Sequence, residues 1–179
     1  MTYGIGWMVF YALLPLVGTS KLHLTYEEMG VAAFMPFQIA RAVFTFVSGW
    51  MMDRYGATRT CTAAFGLYTL VPILLMTATG VPTMTVACVV WGMAAAGVDA
   101  GWMLGPVSLA PSKAKVPQYV AIHATMVGVR GSLFQFMGMG LYVATGSFTL
   151  PLVIAAASFV WASWQMHQLK RMMGREPGG

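Results

Sequence analysis

The sequence has very few charged residues, which excludes most classes of soluble protein. Only 8% of its 179 residues are Asp, Glu, Lys or Arg, whereas 58% are hydrophobic, and the mean hydropathy is positive. Water does not solvate such a surface well, and long apolar stretches of this kind are typical of membrane proteins. The composition therefore predicts an integral membrane protein with no soluble domain.

Cysteine and catalytic motifs are scarce as well. The two cysteines, Cys61 and Cys88, are too few and too widely spaced for a metal cluster, and both fall in apolar segments, where a free cysteine packs as a small apolar side chain. The chain has no phosphate-binding Gly-Lys-Ser loop, no metalloprotease histidine pair and no nucleophile elbow. We therefore predict no disulfide, no metal, no cofactor and no enzymatic activity.

Six apolar segments account for most of the chain. A membrane-spanning helix needs about 20 mostly apolar residues, and a spanning backbone must satisfy its own hydrogen bonds, so each segment is predicted to be an α-helix. Barrel strands would be about half that length and would alternate between apolar and polar residues. The predicted fold class is an all-α integral membrane protein with six transmembrane helices. They cover residues 3–17, 30–52, 60–79, 83–109, 119–145 and 148–166.

The Lys and Arg residues fix the predicted orientation, because such residues are retained on the cytoplasmic side. With a cytoplasmic N-terminus, seven of the ten cations fall in inside segments and one, Lys21, falls outside. The seven are Arg54, Arg59, Lys113, Lys115, Lys170, Arg171 and Arg175. Both termini are thus predicted to be cytoplasmic, with a six-helix domain over residues 1–169 and a basic tail over residues 170–179. This topology and contact with lipid headgroups explain the net charge of +5, so no nucleic-acid partner is expected.

The predicted loop between the second and third helices carries an ordered pattern of glycine and charge. It contains Gly49, Asp53, Arg54 and Gly56, with Arg59 following three residues later. Glycine permits close packing or a positive φ at a turn, and an aspartate accepts hydrogen bonds from a neighbouring arginine or from a helix N-terminus. The pattern is typical of a loop that fastens one end of a helix bundle. An ordinary charged loop on the cytoplasmic side would look similar.

This loop resembles the signature of the major facilitator superfamily of secondary transporters. That signature is Gly, three residues, Asp, Arg or Lys, one residue and Gly, followed by basic residues, and it comes after the second helix of a six-helix half, as it does here. The superfamily has basic residues directly after the second glycine, where this chain has Ala57 and Thr58. The resemblance therefore implies a loop that fastens the bundle less strongly than usual.

The fifth segment adds to this resemblance. Between Pro117 and Gly138 it carries Tyr119, His123 and a Gly-Val-Arg-Gly run at 128–131, and it looks like the fifth helix of a half, most like the eleventh helix of a whole transporter. Whole members have twelve helices in two halves around a central cavity, each half being made of inverted three-helix repeats. The resemblance thus implies one half, most like the C-terminal half. Because a lone half would expose the polar wall of its cavity to lipid, it is expected to pair with itself, with another half or with a different membrane protein.

Polar side chains at membrane depth are the candidate site residues. Gln38, Arg41, Thr45 and Ser48 are spaced by three, four and three residues, which places them on one face of the second helix. An arginine at that depth costs several kcal/mol unless it meets water, an anion or a partner. We interpret this stripe either as a cavity wall that contacts a solute or ion, or as a buried contact between helices or subunits.

Asp99, His123 and Arg130 form a second candidate group. Asp99 in the fourth helix and Arg130 in the fifth are both expected at a depth of roughly 15 to 17 Å, with each residue adding about 1.5 Å, so an ion pair between them is geometrically possible. His123 lies two turns before Arg130 on the same face and could join the two in a proton relay. A static structural ion pair is the alternative interpretation.

Two functions of different classes fit this sequence. The first is a half-size secondary transporter, which moves a small solute as a homodimer or together with a separately encoded half. The second is a non-transporting transmembrane subunit, which scaffolds or assembles a larger energy-converting or photosynthetic membrane complex. In both cases the expected partners are membrane lipid and a second membrane protein, and the expected location is a bacterial inner membrane.

Overall fold

A computed structural model describes the backbone of residues 2–173 and the side chains of residues 2–101, 107 and 110–168. Within this part of the chain every regular element is helical, and six long helices follow the six predicted segments. They are α1 (Thr2–Lys21), α2 (Tyr26–Tyr55), α3 (Ala57–Thr77), α4 (Val81–Leu109), α5 (Val116–Thr145) and α6 (Thr149–Met173). The prediction of an all-α membrane protein is confirmed.

Five of these described helices are long and apolar enough to cross a membrane. The exception is α5, which has the necessary length, at 30 residues, but includes His123, Arg130 and Gln135 along with several glycines. The described chain therefore has five to six candidate membrane-spanning helices.

The first and last helices meet at one end of the bundle. There the Thr2 hydroxyl of α1 donates a hydrogen bond to Oε1 of Gln165 in α6, at 2.6 Å. We refer to this end, which also contains the α2–α3 turn, as the N-terminal end; its cytoplasmic location stays a prediction. Helix α6 continues to Met173, beyond the predicted domain boundary at residue 169, and residues 174–179 of the predicted tail lie outside the described residues.

Capping residues explain where α2 begins and ends. At its start, Oγ1 of Thr25 accepts from the backbone N–H of Glu28 at 3.2 Å, and the Glu28 carboxylate accepts from the backbone N–H of Thr25 at 2.8 Å. These two bonds form a capping box, which satisfies backbone donors that the first helical turn leaves unpaired. At the other end Gly56 adopts a φ of +83°, a backbone conformation that glycine adopts without the steric cost other residues pay.

The helices pack in an interleaved order rather than in chain order. Helix α1 packs mainly on α5 and α6, α4 packs mainly on α2 and α3, and α3 packs on α6. Exchanging α1 with α4, α2 with α5 and α3 with α6 reproduces the same set of principal contacts. This is the arrangement expected of two inverted three-helix repeats, each of which places its first helix against the second and third helices of the other.

The centre of the bundle is filled by aromatic and small side chains. Phe10, Tyr68 and Phe159 come from three different helices, and their ring centroids are 5.0 to 6.2 Å apart. Cys61 and Cys88 are both buried among apolar neighbours, which is the environment the sequence predicted for them. Helices α2 and α5 are the most exposed, because each of them packs mainly on one neighbour and lies at an edge of the bundle.

Candidate functional site

A cavity of about 470 Å³ opens between α1, α2 and α4. This volume is within the range of roughly 300 to 1,000 Å³ in which proteins bind small molecules. Its lining comes mainly from these three helices, with Tyr68 contributed by α3 and Val127 by α5. The first helices of the two repeats, α1 and α4, therefore both line the cavity, and the edge helices α2 and α5 also contribute to its lining.

An ion pair between Arg41 of α2 and Asp99 of α4 forms part of the cavity wall. One carboxylate oxygen of Asp99 accepts from Nε of Arg41 at 2.8 Å and lies 2.7 Å from Nη2. The two side chains are 44% and 47% exposed, so both charges face the cavity rather than the packed interior. At membrane depth each charge alone would be costly, and the pairing removes part of that cost while leaving polar atoms open to a ligand.

Aromatic rings surround this pair. Phe37 stacks on Trp91 with 3.8 Å between the ring centroids, and the Arg41 guanidinium lies 5.9 Å from the centre of the Phe37 ring. Trp7 stacks on Tyr11, which in turn meets Trp91 edge to face at 6.0 Å. The site thus combines a broad apolar surface with one charged pair, a combination that fixes the orientation of a ligand with one polar and one apolar part.

The predicted polar stripe of α2 is divided by the structure. Gln38 and Arg41 line the cavity, whereas Thr45 and Ser48 are not among its described lining residues. The Thr45 hydroxyl donates to the backbone carbonyl of Arg41 at 2.7 Å, and Ser48 is buried opposite Gly97 of α4. The first half of the stripe therefore lines the cavity, whereas in the second half Thr45 bonds to its own helix and Ser48 lies against α4.

Asp99 has a different partner from the one considered in the sequence analysis. Its carboxylate pairs with Arg41 of α2, because α4 packs far more extensively on α2 than on α5. Arg130 and His123 of α5 instead line a second cavity of about 220 Å³ at the N-terminal end of the bundle. The three members of the proposed relay are thus divided between two cavities.

Nearly the whole chain matches one protein family. The family model of the Major Facilitator Superfamily matches residues 1–171. This chain belongs to the Major Facilitator Superfamily. The match confirms the resemblance seen in the α2–α3 loop and identifies a transporter-type integral membrane protein. No curated protein and no solved structure matches the chain.

The Major Facilitator Superfamily loop motif forms the tight turn between α2 and α3. The N–H of Gly56 donates to the carbonyl of Met52 at 2.9 Å, and α3 begins at the next residue. The Arg54 guanidinium lies over the ring of Trp50 at 5.7 Å and near the ring of Tyr55 at 5.9 Å. The remaining charged members of the motif, Asp53 and Arg59, are exposed.

Sequence reasoning missed the aromatic wall of the larger cavity. Tyr3, Trp7 and Tyr11 all line it from α1, and their spacing of four residues places them on one helix face. This regular spacing was a usable signal. Trp91 gave no comparable signal, because α4 is apolar on nearly all sides and its periodicity does not separate a cavity-facing ring from a buried one.

Proposed function

We propose that this chain is one half of a secondary transporter, and that the cavity between α1, α2 and α4 binds a small solute. The observation that carries the proposal is the Arg41–Asp99 pair, which opens into a cavity of small-molecule size. The pair leaves both charged groups accessible from the cavity, where they can exchange hydrogen bonds with a ligand.

The lining favours a solute with a polar or charged group and an apolar body. The charged group would exchange hydrogen bonds with the Arg41–Asp99 pair and with Gln38, while the apolar part would lie against Phe37 and Trp91. Each hydrogen bond to a charged group contributes about 1.5 to 3 kcal/mol, so loss of one would weaken binding by about 10- to 100-fold.

The cavity requires a covering partner, which we propose to be a second half. Both members of the Arg41–Asp99 pair are nearly half exposed, and hydrocarbon on that side would leave polar atoms unsatisfied. The edge helices that flank the opening also present apolar side chains, among them Phe46 of α2 at 82% and Phe136 of α5 at 78% exposure. A second copy of this chain, or a separately encoded half, would cover both the cavity and these edges.

Native mass measurement after gentle detergent extraction tests whether the chain is bound to a second half. We expect a species with the mass of two six-helix halves, either two copies or one copy with a different half. A stable monomer that remains active in lipid would contradict the need for a second half. Isolation only as a stoichiometric component of a larger complex without transport would instead favour the scaffolding subunit.

Uptake into proteoliposomes tests transport. A panel of radiolabelled zwitterions, organic anions and organic cations is supplied outside, and we expect saturable uptake of at least one of them. Arg41→Ala should reduce that uptake by about tenfold or more, because the variant loses a charged hydrogen-bond donor in the cavity. Glu27→Gln is the matched control, since it removes an exposed charge near the start of α2. Uptake that is the same with and without Arg41 would contradict the proposed site.

A further inference from the structure

The charged lining of the second cavity, at the N-terminal end of the bundle, is basic. Thr2 and Tyr3 of α1, His123 and Arg130 of α5 and Gln165 of α6 contribute its polar side chains. The described lining includes two basic residues and no Asp or Glu. The positive charge of Arg130, with no carboxylate among the described lining residues to balance it, favours a negatively charged occupant.

Arg130 is the charged centre of this cavity. Arg130 belongs to α5 and is only 6% exposed, and its side chain lies directly over Gly4 of α1. A Cβ atom at Gly4 would overlap Nε, Cζ and Cδ of Arg130, so the glycine leaves the space that the guanidinium occupies. The sequence thus places a nearly buried guanidinium, which keeps its positive charge, at the wall of this cavity.

We propose that this second cavity binds a small oxyanion, such as a carboxylate or phosphate group, with Arg130 as its principal ligand. The volume of about 220 Å³ is smaller than that of pockets for drug-sized molecules, which begin at roughly 300 Å³, so the occupant is a small ion or a single headgroup. The Thr2 hydroxyl already donates to Oε1 of Gln165, and this bond leaves the amide N–H groups of Gln165 to donate to the remaining oxygens. Tyr3 and Val98 line both cavities and lie between them. The proposed oxyanion site therefore does not depend on transport through the larger cavity.

Thermal unfolding of the detergent-purified full chain tests the site. Sodium acetate and sodium phosphate are the probes, with sodium chloride at equal ionic strength as the reference. At ten times the dissociation constant, an oxyanion is expected to raise the Tm of the wild type by about 3 °C or more. Arg130→Gln should abolish the rise, and Arg59→Gln, which removes an exposed arginine that lines neither cavity, should retain it.

A second variant tests the proposal independently of whether Arg130→Gln folds. Gln165→Glu substitutes an exposed residue with one of the same shape and places a carboxylate in the cavity, where it should compete with the oxyanion and abolish the rise. Equal Tm increases in the wild type and in Gln165→Glu would overturn the proposal.

The same variants distinguish a free anion from a lipid headgroup. In nanodiscs of phosphatidylcholine, addition of phosphatidate should raise the Tm if a lipid phosphate is the occupant, and Gln165→Glu should remove that effect. A response to acetate or phosphate in detergent supports a free anion, and a response to phosphatidate alone supports a headgroup. If neither probe raises the Tm of the wild type, the proposal is wrong.

Discussion

Neutralising either member of the Arg41–Asp99 pair is expected to destabilise the protein more than neutralising both. Arg41→Gln leaves the Asp99 carboxylate at membrane depth without its 2.7 Å partner, and Asp99→Asn leaves the guanidinium in the same position. The double variant keeps two polar side chains of similar shape and carries no charge on either. The three variants together form a double-mutant cycle, which isolates the interaction between the two residues.

The expected size follows from how far the pair is exposed. Fully exposed pairs contribute about 0 to 1 kcal/mol, whereas removing one partner of a buried pair costs about 3 to 5 kcal/mol. The side chains here are 44% and 47% exposed to the cavity, so each single variant should lose about 1 to 2 kcal/mol. For a chain of this length that loss corresponds to a Tm lower by about 2 to 8 °C.

Fluorescence-detected thermal unfolding in one detergent measures all three variants against the wild type. Glu27→Gln is the control for removal of a charge, and it should leave the Tm nearly unchanged because Glu27 is exposed. If the effects of the single variants simply add in the double variant, the two side chains do not interact energetically. In that case the reasoning from the observed contact would be refuted.

The same assay checks four further substitutions. Gly92→Ala should lower the Tm by several degrees, because its new Cβ would meet the backbone of α2, whereas Gly140→Ala, which has open space around it, should be neutral or slightly stabilising. Lys21→Ala should cost about 1 to 3 kcal/mol, because Nζ donates to two carbonyl groups at the end of α3, at 2.6 and 3.0 Å. Gly56→Ala should cost about 1 to 3 kcal/mol, because a φ of +83° with a ψ of 158° lies in a backbone region that is essentially restricted to glycine. An unchanged Tm in Gly92→Ala, Lys21→Ala or Gly56→Ala would contradict the contact or conformation on which that prediction is based.

Hydropathy was sufficient to predict the helices but not their neighbours. Each of the six apolar segments forms a helix, as expected because a backbone that spans hydrocarbon has little choice except a helix. In α5 the hydropathy signal is weaker, because His123 and Arg130, which line the second cavity, are polar and lower the mean hydropathy of the helix.

The partner of Asp99 shows what the sequence could not supply. Counting residues gives the depth of a side chain along the bundle, and on that measure both Arg41 and Arg130 are reasonable partners. Depth does not give the direction in which a side chain points, and consecutive helices need not be adjacent. The interleaved packing brings α4 against α2, so Asp99 pairs with Arg41.

The four candidate residues on α2 share one helix face but not one environment. Gln38 and Arg41 line a cavity, while Thr45 and Ser48 meet their own helix or α4, and a solute-binding role for any of them stays a prediction. A stripe of this length covers several turns, and the cavity is shorter than the stripe. Periodicity alone does not indicate where the cavity ends.

The interleaved packing also has a consequence for biosynthesis. Helix α1 finds its main partners in α5 and α6, and α2 finds its own in α4, while α1, α2 and α3 contact one another little. A nascent chain that has inserted only its first three helices therefore lacks the main partners of all three, and it keeps minor contacts such as those of Lys21 and Phe10 with α3. Assembly of the bundle must wait until the ribosome has delivered the second repeat, and until then the early helices depend on lipid or on a chaperone for protection.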